Sequence, residues 1–408
     1  MSIEKFDSLI DDNNLKYLEP NAHLKIPLTI IWFLGTWPPF KSRQRTLYLI
    51  YSSATFIFIL GIYLIVQAVN LLVIWGDIGR MVASAFLLMT NTVHAYKVFV
   101  FIRHQKRIQA LLDVMSGPTF SRDNKRYERL LTWYAWQGRY HHLAYQSFGT
   151  LAVICWGFTP IADSIAGLDR RLPMDAWYPY DTKQTPAYEV TCAHQAVAVT
   201  IACFHNVAMD TIIAGLINVA CCQLEIIKRN IQLLDDDDDD EFIEDRYQWV
   251  QAELNRCIWH SNLVMTFVEE IKSIFGIVVL LQLLVNCLII CLSAYHVTQM
   301  TVPVPAELFG MMMYLLCMTY QIFIYCYHGN ELAIQSQSIA SAAFEGNWWK
   351  FNKNFKKSLG IFITRSHKPI LFTAGPFMTL SLPMFLSSIV YRGVLSLKEK
   401  PGNLKANT

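Results

Sequence analysis

Ionisable side chains inside apolar stretches are the residues of this sequence most able to do chemistry. A charge buried in hydrocarbon is costly, so such groups often form proton relays or ion paths. The alternative is that Arg80 and Lys97 extend to the two membrane surfaces, while the helices carrying the acidic residues project into the cytoplasm. Their positions favour this alternative. The group comprises Arg80, Lys97, Asp210, Glu269, Glu270 and Lys272.

Two further polar features indicate structural roles. Six consecutive aspartates, Asp235–Asp240, repel one another, and the alternating ligands and turn-forming glycine of a calcium loop are missing. The ten cysteines lie mostly in apolar runs and form no C-x-x-C pair. We therefore expect a solvated acidic loop and no metal site.

Signatures of common enzyme chemistry are also missing. The sequence contains no G-x-x-x-x-G-K-[ST] loop, no G-x-S-x-G elbow and no H-E-x-x-H helix. The formal net charge of +2 gives no basis for nucleic-acid binding. We predict that the protein is not an enzyme and uses no cofactor and no nucleic-acid partner.

The composition is that of a membrane protein. Of 408 residues, 53% are hydrophobic and only 16% are charged, and the mean hydropathy is +0.29. Soluble domains carry about 25% charged residues. The elements that position the polar groups are therefore predicted to be helices in a lipid bilayer.

Seven windows are long and apolar enough to cross a bilayer, which takes about 20 residues. Gly76 and Asp77 alone separate the first two, which predicts a tight hairpin. The stretch Ile26 to Trp37 is too short to span and precedes Pro38-Pro39, so we expect an interfacial or re-entrant segment. The windows cover residues 46–75, 78–102, 130–159, 188–227, 264–297, 308–327 and 369–397.

Basic residues near the span ends predict the orientation, because cytoplasmic loops are rich in Lys and Arg. Clusters precede span one, follow spans two and four, and lie between spans six and seven. The opposite side has only Arg170, Arg171 and Lys183. The predicted fold class is an all-α membrane protein with seven transmembrane helices, a cytoplasmic N-terminus and an extracellular C-terminus.

Aromatic, Met and small hydroxyl residues recur in the outer halves of spans two to six. Such a lining suits a mostly apolar pocket for a small molecule. Helix packing uses the same residue types, so the pattern by itself does not decide between the two. The candidate ligand-binding residues are Ser84, Phe86, Phe148, Trp156, Thr200, Tyr295, Met311 and Met312.

Several motifs make the chain resemble the insect odorant receptor family. The resemblance covers nearly the whole chain and is most specific from about Phe323 to Phe385. The matching stretches are Gly35–Pro39, Leu172–Thr182 with Pro186, Tyr188 and Gln195, Tyr325–Asn330, Gln335–Ala340 with Trp348, Lys368–Gly375 and Leu380–Leu382.

The resemblance implies a tetrameric, odorant-gated, non-selective cation channel whose subunits have seven helices. It implies that helices four to six and the first part of helix seven extend into a cytoplasmic anchor region. The implied organisation is a cytoplasmic N-terminal segment (1–45), helices one to six with the odorant-binding bundle (46–329) and the acidic loop (228–256), the anchor part of helix seven (330–367), its pore-lining part (368–397) and an extracellular tail (398–408).

The resemblance also implies a ligand-binding subunit that pairs with a co-receptor, because the co-receptor has a longer loop after span four. Helical spacing places Val390, Val394 and Leu397 on one stripe of the pore helix. Pro383 either kinks that helix or marks its true start. Arg392 and Lys398, near its outer end, face the pore, another subunit or water.

The expected location is the plasma membrane of olfactory sensory neurons, and the expected ligand is a small volatile odorant. Two alternatives stay open on the residues alone. One is a gustatory receptor of the same superfamily, although its final-helix signature is missing here. The other is a metabotropic receptor acting through a cytoplasmic partner.

Overall fold

The structure is a helical bundle with one short β-hairpin near its C-terminal end. The computed structural model describes residues 21–38, 45–165, 167, 170–235, 243–299, 305–376 and 378–387. In chain order the elements are α1 Ala22–Phe33, α2 Arg45–Thr55, a π-helical turn Phe56–Gly61, α3 Ile62–Val73, α4 Ile78–Arg103, α5 Gln105–Met115, α6 Pro118–Ser121, α7 Glu128–Ile165, α8 Ala187–Gln232, a 3-10 turn Leu233–Asp235, α9 Ile243–Gln299, α10 Pro305–Glu345, a 3-10 turn Trp348–Lys350, α11 Lys353–Ser366, β1 Thr373–Ala374 and β2 Met378–Thr379.

Five helices in the described ranges are long and apolar enough to cross a bilayer, so the chain is a multi-pass membrane protein. They lie in α4, α7, α8, α9 and α10. The first predicted window corresponds to α2, the π-helical turn and α3, which follow one another without a non-helical residue. The predicted hairpin at Gly76-Asp77 is present, and the Asp77 side chain caps α4 by accepting a hydrogen bond from the Arg80 N–H.

The helices are longer than the hydropathy windows that predicted them. Predicted span six ended at residue 327, whereas α10 continues to Glu345. Residues 330–345 therefore belong to this helix, and the predicted boundary between helices six and seven at 329 is wrong. Hydropathy falls where polar residues such as Glu331 and Gln335 begin, but no proline interrupts the backbone, so the helix continues beyond the apolar stretch.

Helix α8 forms the centre of the bundle. Every residue from 205 to 227 is buried, and α8 packs against α1, α7, α9 and α10. Its small residues, among them Ala208, Ala214 and Ala220, let the neighbouring helices approach closely. A helix surrounded in this way must pair each of its polar side chains with another helix. For example, the Asn218 amide donates to the Tyr134 carbonyl at 2.9 Å.

Helix α1 is held between α7 and α8 by its histidine. His23 is buried against two glycines, Gly138 on α7 and Gly215 on α8, and its Nε2 lies 3.3 Å from the Gly215 carbonyl oxygen. A Cβ at Gly138 would lie 2.7 to 2.9 Å from His23 atoms, which is closer than real contacts allow. The two glycines therefore provide the space into which α1 docks.

The segment after α11 begins with a β-hairpin, although residues 368–397 were predicted as the pore-lining part of helix seven. Strands β1 and β2 pair across a turn that contains Gly375 and Pro376. Helical structure resumes only at residue 382. The hairpin region docks on α9 and α10, where the Gly375 N–H donates to the Gly276 carbonyl at 3.0 Å and Leu380 packs on Gly329. Pro383 thus marks the start of the final helix, since a first helical turn tolerates proline.

We expect Gly138→Ala to destabilise the protein by about 1 to 3 kcal/mol, because the added methyl group displaces His23 and loosens α1. The matched control is Gly157→Ala on the same helix, where nothing lies within 4 Å of the added Cβ. That change should be neutral or stabilising by up to about 1 kcal/mol. Thermal unfolding of the detergent-purified protein measures both, and equal effects of the two changes would contradict this account of α1 docking.

Candidate ligand-binding site

A cavity lies between α3, α4, α7, α8 and α10, in the half of the bundle nearest the loop that joins α7 to α8. Its empty space is about 590 Å³, mouth included. The lining consists of Tyr63, Leu87, Thr90, Asn91, His94, Tyr145, Gly149, Ala152, Val153, Trp156, Val199, Ala202, Cys203, Asn206, Val207, Tyr314, Cys317 and Met318.

The walls of this cavity are mainly apolar. Trp156 and Tyr314 pack with ring centroids 5.3 Å apart, and Phe86 lies behind Tyr314 at 5.5 Å. Aromatic rings at these distances prefer tilted contacts, as found here. A cavity of this kind holds a ligand through dispersion and the removal of apolar surface from water.

Polar groups of α4 line one side of the cavity over about one and a half helical turns. Thr90 lies 2.6 Å from the Tyr314 hydroxyl, and the Asn91 amide donates to Gln67 at 2.9 Å. One turn further along, His94 Nε2 lies 3.0 Å from Nδ1 of His205. The other ring nitrogen, His94 Nδ1, has no hydrogen-bond partner among the residues that the structure describes.

A buried ion pair lies next to the end of the cavity that is farther from the loop joining α7 to α8. Lys97 Nζ is 2.5 Å from Asp210 Oδ1, and the two side chains are 0% and 3% exposed. The prediction that Lys97 extends to the membrane surface is therefore wrong. Asp210 is at the middle of α8 rather than near its end, because the helix runs from residue 187 to 232. An ammonium group with a carboxylate beside it needs no route to water.

The Asp210 carboxylate accepts hydrogen bonds from three further side chains. Tyr325 donates to Oδ1 at 2.8 Å, Tyr145 donates to Oδ2 at 3.1 Å, and Gln321 also donates to Oδ2. Lys97 in turn donates to the Asn206 side-chain oxygen at 2.8 Å. Asn206 and Tyr145 both border the cavity, so the ion pair is connected to the cavity floor.

The network continues from Gln321 into α9. The Gln321 side-chain oxygen accepts from Asn286 at 2.7 Å and from Gln282 at 3.1 Å. All three side chains are almost completely buried. Helices α4, α7, α8, α9 and α10 are thus joined by one set of side-chain hydrogen bonds centred on Asp210.

A second cavity lies between the first and the loop that joins α7 to α8. It shares Leu87 and Trp156 with the first cavity, so these side chains separate the two. The loop is fixed by Gln195, whose side chain pairs with both the N–H and the carbonyl of Met174 at 3.2 and 3.1 Å. The second cavity also contains Arg80, which places a cation at this end of the bundle.

The structure places the predicted ligand-binding residues in three groups. Trp156 borders both cavities, and Ser84, Phe86 and Met311 border the second. Phe148 packs on Tyr320 with ring centroids 5.5 Å apart, beside the first cavity. Thr200 and Met312 lie on exposed faces of α8 and α10, because each is rotated away from the cavity by its position in the helical turn. The side chain of Tyr295 lies outside the described part of the chain, as do Val390, Val394 and Leu397.

The predicted ligand-binding residues do not include the polar side chains that border the first cavity. Thr90, Asn91 and His94 lie at i, i+1 and i+4, which puts them on one side of α4 in an otherwise apolar run. Asn206 and Asp210 have the same spacing of four on α8. Polar groups repeated at helical spacing inside a transmembrane window are the signal that could have located this side of the cavity.

The predicted Glu269 cluster acts away from the cavity. Arg107 of α5 donates two hydrogen bonds to Glu270 of α9, at 2.6 and 2.9 Å. The two side chains are 39% and 36% exposed. This bidentate pair joins α5 to α9 near the surface, as expected for a helix extension rather than a proton relay.

Removal of one partner of the buried pair should be more harmful than removal of both. Lys97→Met leaves the Asp210 charge uncompensated and should destabilise the protein by about 3 to 5 kcal/mol, whereas the double change Lys97→Met with Asp210→Leu should recover much of that loss. Arg107→Met, at the exposed pair, should cost less than about 1 kcal/mol.

Thermal unfolding of the purified variants, with surface delivery as a second readout, measures this coupling. A double variant no more stable than Lys97→Met alone would contradict the importance of the Lys97–Asp210 attraction.

Comparisons with known proteins agree with the fold. A sequence profile described as 7tm Odorant receptor matches residues 77–390. Odorant receptor Or1 of Anopheles gambiae is 27% identical over 402 residues, covering 92% of this chain and 95% of that protein. Odorant receptor 94a of Drosophila melanogaster is 21% identical, covering 92% and 96%.

Solved structures show the same architecture. Olfactory receptor OR5 of the insect Machilis hrabei, solved in complex with eugenol, superposes with a TM-score of 0.80 at 18% identity. The match covers 95% of this chain and 100% of that one. The profile match covers most of the chain and carries the assignment: the protein belongs to the insect odorant receptor family.

Proposed function

We propose that this chain is the odorant-binding subunit of a heteromeric, odorant-gated, non-selective cation channel. The observation that carries the proposal is the cavity between α3, α4, α7, α8 and α10, with apolar walls and polar groups along α4. This combination fits a small organic molecule with few polar atoms. The family assignment favours an odorant over the ligand of a gustatory receptor.

The cavity forms the odorant pocket in this proposal. Its aromatic walls suit a compact volatile molecule, and eugenol bound to the related olfactory receptor OR5 supports a small aromatic ligand. The second cavity, bordered by Ser84, Phe86 and Met311, lies on the path between the loop and the pocket. Trp156 separates the two spaces and therefore contacts an odorant in either of them.

The proposed topology has seven spans, a cytoplasmic N-terminus and an extracellular C-terminus. The five long helices, the rod formed by α2 and α3, and the final helix beginning at residue 382 supply the spans. Arg45, Arg103, Arg107 and Arg229 all lie at the helix ends assigned to the cytoplasm. Residues 353–366 form a separate helix, α11, which packs on the extensions of α9 and α10 and provides the anchor region of the proposal.

Channel opening requires that the odorant bind the open arrangement more tightly than the closed one. The pocket floor is hydrogen-bonded through Asp210 and Gln321 to α9 and α10. These two helices also hold the hairpin that leads into the final helix. Val390, Val394 and Leu397 remain the proposed pore stripe and lie outside the described residues.

The proposed partner is the odorant co-receptor, in a heterotetramer in the plasma membrane of olfactory sensory neurons. The connection between α8 and α9 is short, since α8 ends at residue 232 and α9 begins at residue 243. A short loop here is typical of ligand-binding subunits rather than of the co-receptor. The acidic run from Asp235 lies in this loop, on the side assigned to the cytoplasm.

Current recordings test the channel proposal. Cells that express this chain with the co-receptor should show rapid cation currents when a panel of small volatiles is applied, and the chain alone should give little or none. The matched control is the co-receptor alone, which should not respond to the same volatiles. Currents that disappear when G-protein signalling is blocked would instead indicate a metabotropic receptor.

Trp156→Ala should change the ranking of odorants, because it joins the two cavities and removes an aromatic wall. Larger volatiles should gain potency relative to smaller ones. Met312→Ala on the exposed face of α10 serves as the control and should leave the ranking unchanged. Dose–response curves at matched surface delivery measure the effect, and an unchanged ranking for Trp156→Ala would remove this residue from the pocket.

A further inference from the structure

His94 borders the proposed odorant pocket and has one ring nitrogen without a hydrogen-bond partner among the described residues. The ring borders the cavity and is 2% exposed, and its Nδ1 has no partner among the described residues. A buried polar atom without a partner costs about 1 to 3 kcal/mol, which a ligand of the right chemistry recovers. Whether Nδ1 donates or accepts a hydrogen bond decides which ligand that is.

The hydrogen bonds behind His94 determine its tautomer. Thr36 contacts both the Ile31 carbonyl oxygen, at 3.0 Å, and His205 Nε2, at 2.5 Å. A hydroxyl group has one proton, so both contacts are hydrogen bonds only if Thr36 donates to Ile31 and accepts from His205. His205 Nδ1 is then an acceptor, and His94 Nε2, which lies 3.0 Å away, must donate to it.

This chain of donors leaves His94 Nδ1 as an acceptor. Both imidazoles are buried, and His205 precedes Asn206, which accepts a hydrogen bond from the Lys97 ammonium group. Burial beside a positive charge disfavours a second one. With a single proton on Nε2, the His94 Nδ1 lone pair is available to a ligand. The matching ligand group is a hydrogen-bond donor.

Two further groups at the cavity extend this pattern. The Thr90 hydroxyl donates its one proton to the Phe86 carbonyl at 2.9 Å. The Tyr314 hydroxyl must therefore be the donor in its 2.6 Å contact with Thr90. The Tyr314 oxygen can then still accept a hydrogen bond. The Lys97 ammonium group can only donate, so the Asn206 side-chain oxygen must point toward it. The Asn206 NH₂ group therefore points away from Lys97. Among the groups that border the cavity, His94 Nδ1 and the Tyr314 oxygen can thus accept a hydrogen bond, and the Asn206 NH₂ group can donate one.

We infer that the preferred odorants of this subunit carry a hydroxyl group, as alcohols or phenols, which donates to His94 Nδ1 and accepts from Asn206. A hydroxyl group both donates and accepts, whereas a ketone or an ether can only accept and a hydrocarbon can do neither. The remainder of the ligand fills the apolar space beside Trp156. This inference rests on the proposed function, since it assigns the chemical class of the ligand in the same pocket.

Matched volatiles of similar size test the ligand class. Phenol, anisole and toluene form one set, and cyclohexanol, cyclohexanone and methylcyclohexane form another, within a broader panel of alcohols, ketones, ethers and hydrocarbons. The subunit is expressed with the co-receptor, and half-maximal concentrations are compared. Hydroxyl compounds should be more potent than their matched partners by about threefold to tenfold or more, the range of one lost hydrogen bond.

Two substitutions of His94 separate recognition from folding. His94→Gln places its amide near the Nε2 position, keeps a donor for His205 and removes the acceptor, so hydroxyl compounds should lose about threefold to tenfold in potency. His94→Asn carries its amide as many bonds from the backbone as Nδ1, and its oxygen should preserve the preference for hydroxyl compounds. Thr200→Val, on the exposed face of α8, should change neither.

The outcomes distinguish this inference from the proposed function. Currents that are strongest for ketones, ethers or hydrocarbons, or an unchanged ligand preference in His94→Gln at normal surface delivery, would overturn the inference and leave the channel intact. Thermal stabilisation of the purified subunit by hydroxyl compounds without any current would support the inference and overturn the channel proposal. Neither current nor stabilisation by any volatile would overturn both.

Discussion

The burial of the Lys97–Asp210 pair is the constraint on which the half of the bundle around the cavity depends. Neither charge reaches water, so the structure must supply every favourable contact that solvent would have given. Helices α7 and α10 provide these contacts through Tyr145, Tyr325 and Gln321. A shift of one helix by a single residue would leave a buried charge without its partners. The pair therefore fixes the register of four helices more strictly than apolar packing could, since hydrophobic contacts are not directional.

The same constraint gives the cavity a rigid floor. Asn206 and Tyr145 are each hydrogen-bonded to one member of the ion pair, and both side chains also border the cavity. A ligand that shifts either side chain also shifts its hydrogen bonds to Lys97 or Asp210. Gln321 is hydrogen-bonded to both Asp210 and α9, and α9 together with α10 holds the hairpin before the final helix. A continuous set of packed and hydrogen-bonded groups thus joins the proposed ligand site to the segment that leads to the proposed pore.

The sequence allowed the helices to be predicted but not their lateral contacts. Hydropathy predicted the bounds of α4 almost to the residue, because the apolar stretch and the helix coincide. It predicted too early an end for α10, because that helix continues into polar residues. The Lys97–Asp210 pair could not be predicted, because its members lie on different helices and 113 positions apart. The rotation of each helix determines which of its residues border a cavity. Met311 borders a cavity, whereas its neighbour Met312 is 44% exposed. A rotation of about 100° per residue separates a ligand contact from a lipid contact.

The apolar walls and the polar atoms of the cavity would select ligands by different properties. Apolar walls contribute in proportion to the area covered, so one methylene group more or less changes affinity by about 0.8 kcal/mol, and such walls select ligands only gradually by size. A polar atom that stays unpaired in a dry cavity costs more than that and depends on direction. His94, Tyr314 and Asn206 are each held by a second hydrogen bond behind the cavity, so they cannot turn to suit a different ligand. In the proposed pocket, size selection therefore comes from residues such as Trp156, and the chemical class of the ligand is set by side chains whose orientation the buried network fixes.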